Sequence, residues 1–262
     1  MKYLYLLAAT IFLTGCLQNN IVVPEQALWW QPKPGLTWQW QLKGHLNTSY
    51  DVAVYDIDLF DTPADAIQKL HDRGVKVICY FSAGTFENWR PDAKQFPKKV
   101  IGKRLEDWPN EWWLDITKKD ALAPIMTARL DLARAKQCDA VEPDNVDGYA
   151  NDSGFQVSSA EQSRYNRWLA DLAHTRGLAV GLKNDTDQIP DLINNFDFAV
   201  NEQCFEYKEC DKLLPFTEAN KAVFGVEYKL KPEQFCAEAK RLRLSWLKMD
   251  LELAGGRIGC DW

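Results

Sequence analysis

The chain has 262 residues, 46% of them hydrophobic, with 31 Lys and Arg against 37 Asp and Glu for a formal net charge of −6. That length builds one large domain with a full core, and net acidity without a Lys/Arg-rich patch among the aromatics argues against a nucleic-acid partner. Only three histidines, His45, His71 and His174, are available for a zinc centre, so no metal and no cofactor is expected.

Lys2 and an apolar run over residues 4–13 open the chain. The run is too short to span a bilayer and reads, through residue 15, as a secretory signal. Leu13-Thr14-Gly15-Cys16 resembles a bacterial lipobox, in which cleavage exposes the cysteine for acylation; two or more acyl chains give stable anchoring. Ordinary cleavage beside an incidental cysteine is the competing reading. Lipidation at Cys16 places the protein in the bacterial cell envelope, on its periplasmic or cell-surface side, with residues 16–33 as lipidated cysteine and short tether and residues 34–262 as the domain. Six further cysteines, Cys79, Cys138, Cys204, Cys210, Cys236 and Cys260, suit disulfides outside the reducing cytosol. Cys204 with Cys210 would staple one loop and Cys236 with Cys260 would tie the last helix to the C-terminus, leaving Cys79 and Cys138. This is one of about fifteen pairings that six cysteines allow.

From Trp38 onward strand-like and helix-like runs alternate. Strands are predicted over 38–42, 52–56, 75–81, 140–144, 178–182, 198–202, 222–227 and 244–249. Eight strands alternating with helices predict a single-domain α/β fold, a TIM (β/α)8 barrel. Helices are predicted over 63–73 with Asp61-Thr62 as cap, 117–137, 159–176, 190–194 and 232–241. His71 and His174 fall at helix C-termini before Gly74 and Gly177. An open doubly wound sheet is the competing architecture, but no strand leads into a Gly-x-Gly-x-x-Gly or Lys-Ser/Thr phosphate loop. The longest break, 82–116, carries Trp89, Trp108, Trp112 and Trp113. Long loops at strand C-terminal ends are where barrels place substrate contacts. Trp89, Trp112 and Trp113 are candidate sugar-stacking platforms; packing of the loop onto the barrel is the plain alternative.

Polar residues recur where the strands end: Asp56 and Asp58, Tyr80 and Ser82, Lys183 and Asn184, Asn201 and Glu202, Glu227 and Tyr228, Lys248 and Asp250. The densest cluster is Glu142-Pro143-Asp144-Asn145-Val146-Asp147. Three carboxylates and an amide within six positions are costly unless a solvent-filled site uses them. Strand alternation puts Glu142 and Asp144 on one side and Val141 on the other, while Pro143 removes a backbone donor. Glu202 is expected to face them across the mouth. Two carboxylates suffice to cleave a glycosidic bond. Asp144, Asn145, Asp147, Asn151 and Asp152 lack the calcium-loop register, and the basic run 94–104, broken by Pro97 and Gly102, reads as a solvated loop.

Six segments carry a resemblance: Trp38-Gln39-Trp40-Gln41-Leu42, Tyr55-Asp56-Ile57-Asp58, residues 77–84, residues 142–149, Lys183-Asn184 and Asn201-Glu202. Over roughly 34–262 the chain resembles the endo-alpha-1,4-polygalactosaminidases, the GH114-type TIM-barrel glycoside hydrolases. Pro143 stands where family members often have Leu. The resemblance implies Asp144 and Glu202 as the catalytic pair, with Asp56, Glu142, Lys183 and Asn184 in the same pocket. It also implies a retaining, endo-acting hydrolase of a cationic alpha-1,4-linked galactosamine polysaccharide. Asp58, Tyr80, Asn145, Glu227, Trp89 and Trp112 complete the expected substrate contacts. Asp144 as nucleophile and a better-buried Glu202, with the raised pKa of an acid, is one assignment and the reverse is the other; the protein is expected to be a monomer. The alternatives are a non-catalytic binding protein for such a polysaccharide, a glycosidase for another alpha-linked glycan, and a structural envelope lipoprotein.

Overall fold

The computed structural model describes residues 28–260, so the signal segment, Cys16 and most of the expected tether lie outside the described residues. In chain order the strands are Trp38–Gln41 (β1), Val54–Asp58 (β2), Lys76–Ser82 (β3), Thr85–Glu87 (β4), Ile101–Arg104 (β5), Glu111–Leu114 (β6), Ala140–Asp144 (β7), Ala179–Lys183 (β8), Phe198–Glu202 (β9), Val223–Glu227 (β10), Ser245–Met249 (β11) and Arg257–Gly259 (β12). The eight expected strands are β1, β2, β3, β7, β8, β9, β10 and β11. They pair in that order, every pair parallel, with β12 antiparallel on β11.

The sheet curls into a nearly closed barrel whose seam, between β1 and β11, is bridged without a ladder. Trp38 Nε1 donates to the Ser245 carbonyl at 3.0 Å, the Leu42 N–H to Leu253 O at 3.0 Å, and Gln39 Nε2 to Gly255 O at 2.8 Å. Along each strand alternate residues enter the barrel. The lower half is filled by Trp38, Val54, Ile78, Ala140, Ala179, Phe198 and Phe224. Gly181 leaves room there for Phe198, whose ring would lie 2.3 Å from a Cβ at that position. The upper half is polar. Pro143 falls past the end of the β7–β8 ladder, which covers only Ala140 and Val141, so its missing N–H breaks no bond to β8.

Helices Ala64–His71 (α1), Lys119–Ala135 (α2) and Ser159–His174 (α3) cover the outer face, followed by the short Ile189–Leu192 (α4), Cys204–Tyr207 (α5), Leu214–Glu218 (α6) and Cys236–Arg241 (α7). Ile67, Leu70, Leu122, Ile125, Leu130 and Leu169 pack onto the outward residues Tyr55, Ile57, Val77, Val141 and Val180 in one cluster. Ser158 and Glu161 form a capping box at the start of α3. Asp61-Thr62 does not cap α1: the N-cap is Pro63, and the Asp61 N–H is taken by Asp58 Oδ1. The last long helix shortens to α7 after a 3-10 turn over Pro232–Gln234. The break 82–116 is a small sheet of order β4-β6-β5.

Below the barrel, Trp29 Nε1 and Gln31 Nε2 donate to Asp197 Oδ1 at 2.9 and 2.8 Å, and Trp29 stacks on His174 at 3.9 Å. The Ala222 N–H donates to Pro32 O. Residues 29–32 therefore already pack on the barrel, ahead of the expected boundary at residue 34. Disulfides join Cys79–Cys138, Cys204–Cys210 and Cys236–Cys260.

Candidate active site

Lys183 ends β8 at the level where the inward positions of β7 and β9 carry Asp144 and Glu202. Its Nζ lies 2.9 Å from Asp144 Oδ1 and 3.0 Å from Glu202 Oε2, over the Trp40 ring at 5.1 Å. The two bonded oxygens are therefore no more than about 6 Å apart, so both carboxylates border one small space above Lys183.

Each carboxylate has further donors. Asp144 accepts from the Asn145 N–H at 2.7 Å, the Tyr80 hydroxyl at 3.0 Å and Asn145 Nδ2 at 3.3 Å. Glu202 accepts from Asn184 Nδ2 at 3.1 Å and from the Tyr228 hydroxyl. Asn145 and Asn184 both adopt left-handed backbone conformations, φ 59° and 49°, which turn their side chains back over the strand ends. Burial pushes the Glu202 carboxyl up, but the Lys183 ammonium and the Tyr228 and Asn184 hydrogen bonds outweigh it and hold the group below its ordinary range. The expectation of a raised Glu202 is thus corrected: the cation prevails over burial. Glu202 is also the more exposed of the pair, its side chain 23% accessible against 15% for Asp144.

Beneath Lys183 lies a second carboxyl pair, Asp56 and Glu142, both fully buried. None of their four oxygens has a well-formed hydrogen bond from a neighbouring group, and the closest cation is Lys183 Nζ, 3.6 Å from Glu142 Oε1. Burial, then the Asp56 charge, keeps the Glu142 carboxyl well above its ordinary value. Burial likewise pushes Asp56 up to about 7 against the Glu142 hydrogen bond and the Lys183 charge. Two buried carboxyls in contact are satisfied by sharing one proton.

The β4-β6-β5 sheet forms one wall. Arg90 grips Asp58 with two bonds, 2.9 and 2.6 Å, and reaches Glu87 at 2.8 Å. Arg129 binds Asp92 twice and donates to Ser82 O at 2.6 Å. On this wall Glu111 accepts from Thr85 Oγ1 at 3.0 Å, and burial, then the Glu87 charge, pushes it up to about 7. With Trp40, Trp89 and Trp113 the wall bounds a cleft of about 450 Å³ that reaches Asp144, Lys183 and Glu202, a size suited to small-molecule and sugar binding.

The model of glycoside-hydrolase family GH114 matches residues 20–262. The chain belongs to glycoside-hydrolase family GH114. Among solved structures, Aspergillus fumigatus Ega3 in complex with galactosamine is 42% identical, with TM-score 0.84 over 88% of this chain and 97% of that one. The glycoside hydrolase domain of PelA from Pseudomonas aeruginosa is 13% identical, with TM-score 0.63 over 84% of this chain and 96% of that one. Eubacterium rectale Amy13B is 9% identical, with TM-score 0.56 over 83% and 65%. The last two likenesses concern the fold alone. No match is found among curated proteins.

In this GH114 hydrolase the fold brings Asp144, Glu202, Lys183, Asn184, Asn145, Tyr80 and Trp89 to one cleft. Other expected contacts are placed elsewhere. Asp56 and Glu142 lie under Lys183 with no solvent access. Asp58 borders the cleft, but Arg90 and the Phe60 and Asp61 N–H groups occupy its carboxylate. Glu227 points out of the barrel and accepts from the Phe205 N–H at 2.9 Å. Trp112 packs on Phe86 rather than lining the cleft. Trp113, a candidate platform, lines the cleft, and Glu111, Asp147 and Trp108 line it without having been singled out as contacts. Asp147 carried a signal, since it belongs to the acidic cluster after β7.

Proposed function

We propose that this GH114 enzyme hydrolyses a polysaccharide of alpha-1,4-linked galactosamine with retention of configuration, using Asp144 and Glu202. The observation that carries the reading is a pair of carboxylates held by one ammonium, 2.9 and 3.0 Å away, in a chain 42% identical to a protein crystallised with galactosamine. Asp144, fixed by two Asn145 donors, the Tyr80 hydroxyl and Lys183, attacks the anomeric carbon. Glu202, the more exposed, exchanges protons with solvent; it protonates the glycosidic oxygen as the C–O bond breaks. In the second step Glu202 takes a proton from water, whose oxygen attacks the anomeric carbon and frees Asp144. A sugar seated between the carboxylates parts Glu202 from Lys183, which lets its pKa rise toward that of an acid.

Acidic walls suit a polymer of protonated amines, which supports the same substrate class. Proton NMR of the first products from galactosamine oligomers tests the mechanism. The alpha anomer is expected at the new reducing end; the beta anomer as first product would overturn the retaining assignment.

A further inference from the structure

Beside Glu202 a second cavity of about 380 Å³ opens, sharing Trp108, Asp147, Asn184, Glu202 and Leu251 with the main cleft. The two form one trough with Glu202 on the divide between them. Their electrostatics differ. The main cleft is bordered by Lys43, Arg90 and Lys183, whereas among the described residues the second cavity is lined by six carboxyls and by no Lys or Arg.

Two buried acceptors line it without a full set of donors. Asn201, 1% exposed, donates through Nδ2 to Asn184 Oδ1 at 3.3 Å, while its own Oδ1 has no partner. The amide orientation follows from Asn184 Oδ1, which also accepts the Glu202 N–H and so requires a donor from Asn201. Asp185, 5% exposed and in a left-handed conformation with φ 45°, accepts from Asn166 Nδ2 at 2.8 Å through one oxygen; the other lacks a well-formed bond, with the Tyr149 hydroxyl nearby. Burial, then the Asp147 charge, pushes Asp185 up to about 8, and a cation beside it would draw the group back toward its charged form. At the rim Tyr207 stands 60% exposed, an aromatic face turned to solvent.

We propose that this cavity is a second sugar subsite, in which Asp185 and Asn201 bind the ammonium of a free-amine hexosamine of the same polymer chain while Tyr207 stacks on its ring. An ammonium supplies three donors to acceptors that lack them. An N-acetylated sugar has no such charge, so the subsite selects deacetylated stretches. A chain running through both cavities passes Glu202 in its middle, which makes the cut internal. The inference rests on the substrate class proposed above.

Isothermal titration of the Asp144→Asn protein with a free-amine galactosamine tetramer and its N-acetylated counterpart tests it. Adding Tyr207→Ala or Asp185→Asn is expected to weaken binding of the free-amine tetramer about tenfold, the loss of one charged hydrogen bond or one stacked face. Asp185→Asn is expected to leave the weaker N-acetylated tetramer unaffected. Equal affinity for the free-amine tetramer in all three proteins would overturn the subsite. Because Tyr207 lies outside the core, Tyr207→Ala decides the question even if Asp185→Asn fails to fold. If the unsubstituted enzyme cleaves the polymer while neither substitution alters affinity, the subsite falls and the substrate stands. Neither binding nor cleavage of free-amine chains by the unsubstituted enzyme overturns the substrate class as well.

Discussion

At Lys183 one ammonium faces Asp144, Glu202 and Glu142, and below them Asp56 and Glu142 share a proton. That proton makes a stability prediction. Asp56 titrates near 3.8 when unfolded and at about 7 in the fold, so the folded state holds the extra proton between those values. Its stabilising contribution is complete below the unfolded pKa and is lost as pH rises through about 7. Asp56→Asn removes this dependence, and its melting temperature relative to the parent should climb from pH 4 to pH 8; a constant difference across that range would contradict the shared proton. The residues differ in how legible they were. Asp144 and Glu202 stand at strand ends on the inward phase, so periodicity alone put them in the mouth. Glu227 shows the limit: Val226 faces inward, and one further step turns Glu227 out to the Phe205 N–H. The burial of Asp56 and Glu142 followed from how deep in the barrel they sit, which strand pattern does not encode.

Seven of the eight parallel strands and the three long helices were readable because each repeats its period over five or more residues, or, for α1, α2 and α3, over two or more turns; the four-residue β1 was marked by its Trp38-Gln39-Trp40-Gln41 alternation. Strands β4, β5, β6 and β12 have three or four residues each and no place in the strand–helix alternation that marks the others. The first three are fastened by buried Arg90 and Arg129, residues that a sequence reading assigns to solvent. Their join to the site is Gly84, between β3 and β4. A Cβ there would lie 1.6 Å from the Asn145 carbonyl oxygen, on the residue whose N–H holds Asp144. Gly84→Ala should therefore displace Asn145 and lower kcat about hundredfold, the usual result of a shift of about 1 Å in a reacting group. Steady-state kinetics on a variant with parental circular dichroism checks this, and unchanged kcat would show that the backbone contact does not position Asp144.

Over the whole molecule, the polar mouth lies at the C-terminal ends of the barrel strands, and the Trp29–Pro32 stretch docks at the opposite end. An anchor at Cys16 would then join the barrel from the end opposite the mouth. Cys16→Ala should move the enzyme from the membrane to the soluble fraction with its activity retained; continued membrane association would remove the lipid anchor from the account. Among the described residues no helix is long and apolar enough to cross a membrane. Barrel architecture was legible as eight alternating units that suggest a closed barrel; how the seam is bridged was not, because Gln39 and Leu42 reach backbone carbonyls of the irregular stretch 253–255 rather than a partner strand. The central claim, that this barrel hydrolyses a galactosamine polymer with Asp144 and Glu202, is tested most directly by mass spectrometry of products from partly deacetylated alpha-1,4-galactosamine polymer. The parent enzyme, Asp144→Asn and Glu202→Gln would be incubated side by side. Oligomers of internal cleavage from the parent alone are predicted, with both variants reduced at least about a thousandfold; intact polymer from a folded parent, or equal oligomer yields from all three, would contradict it.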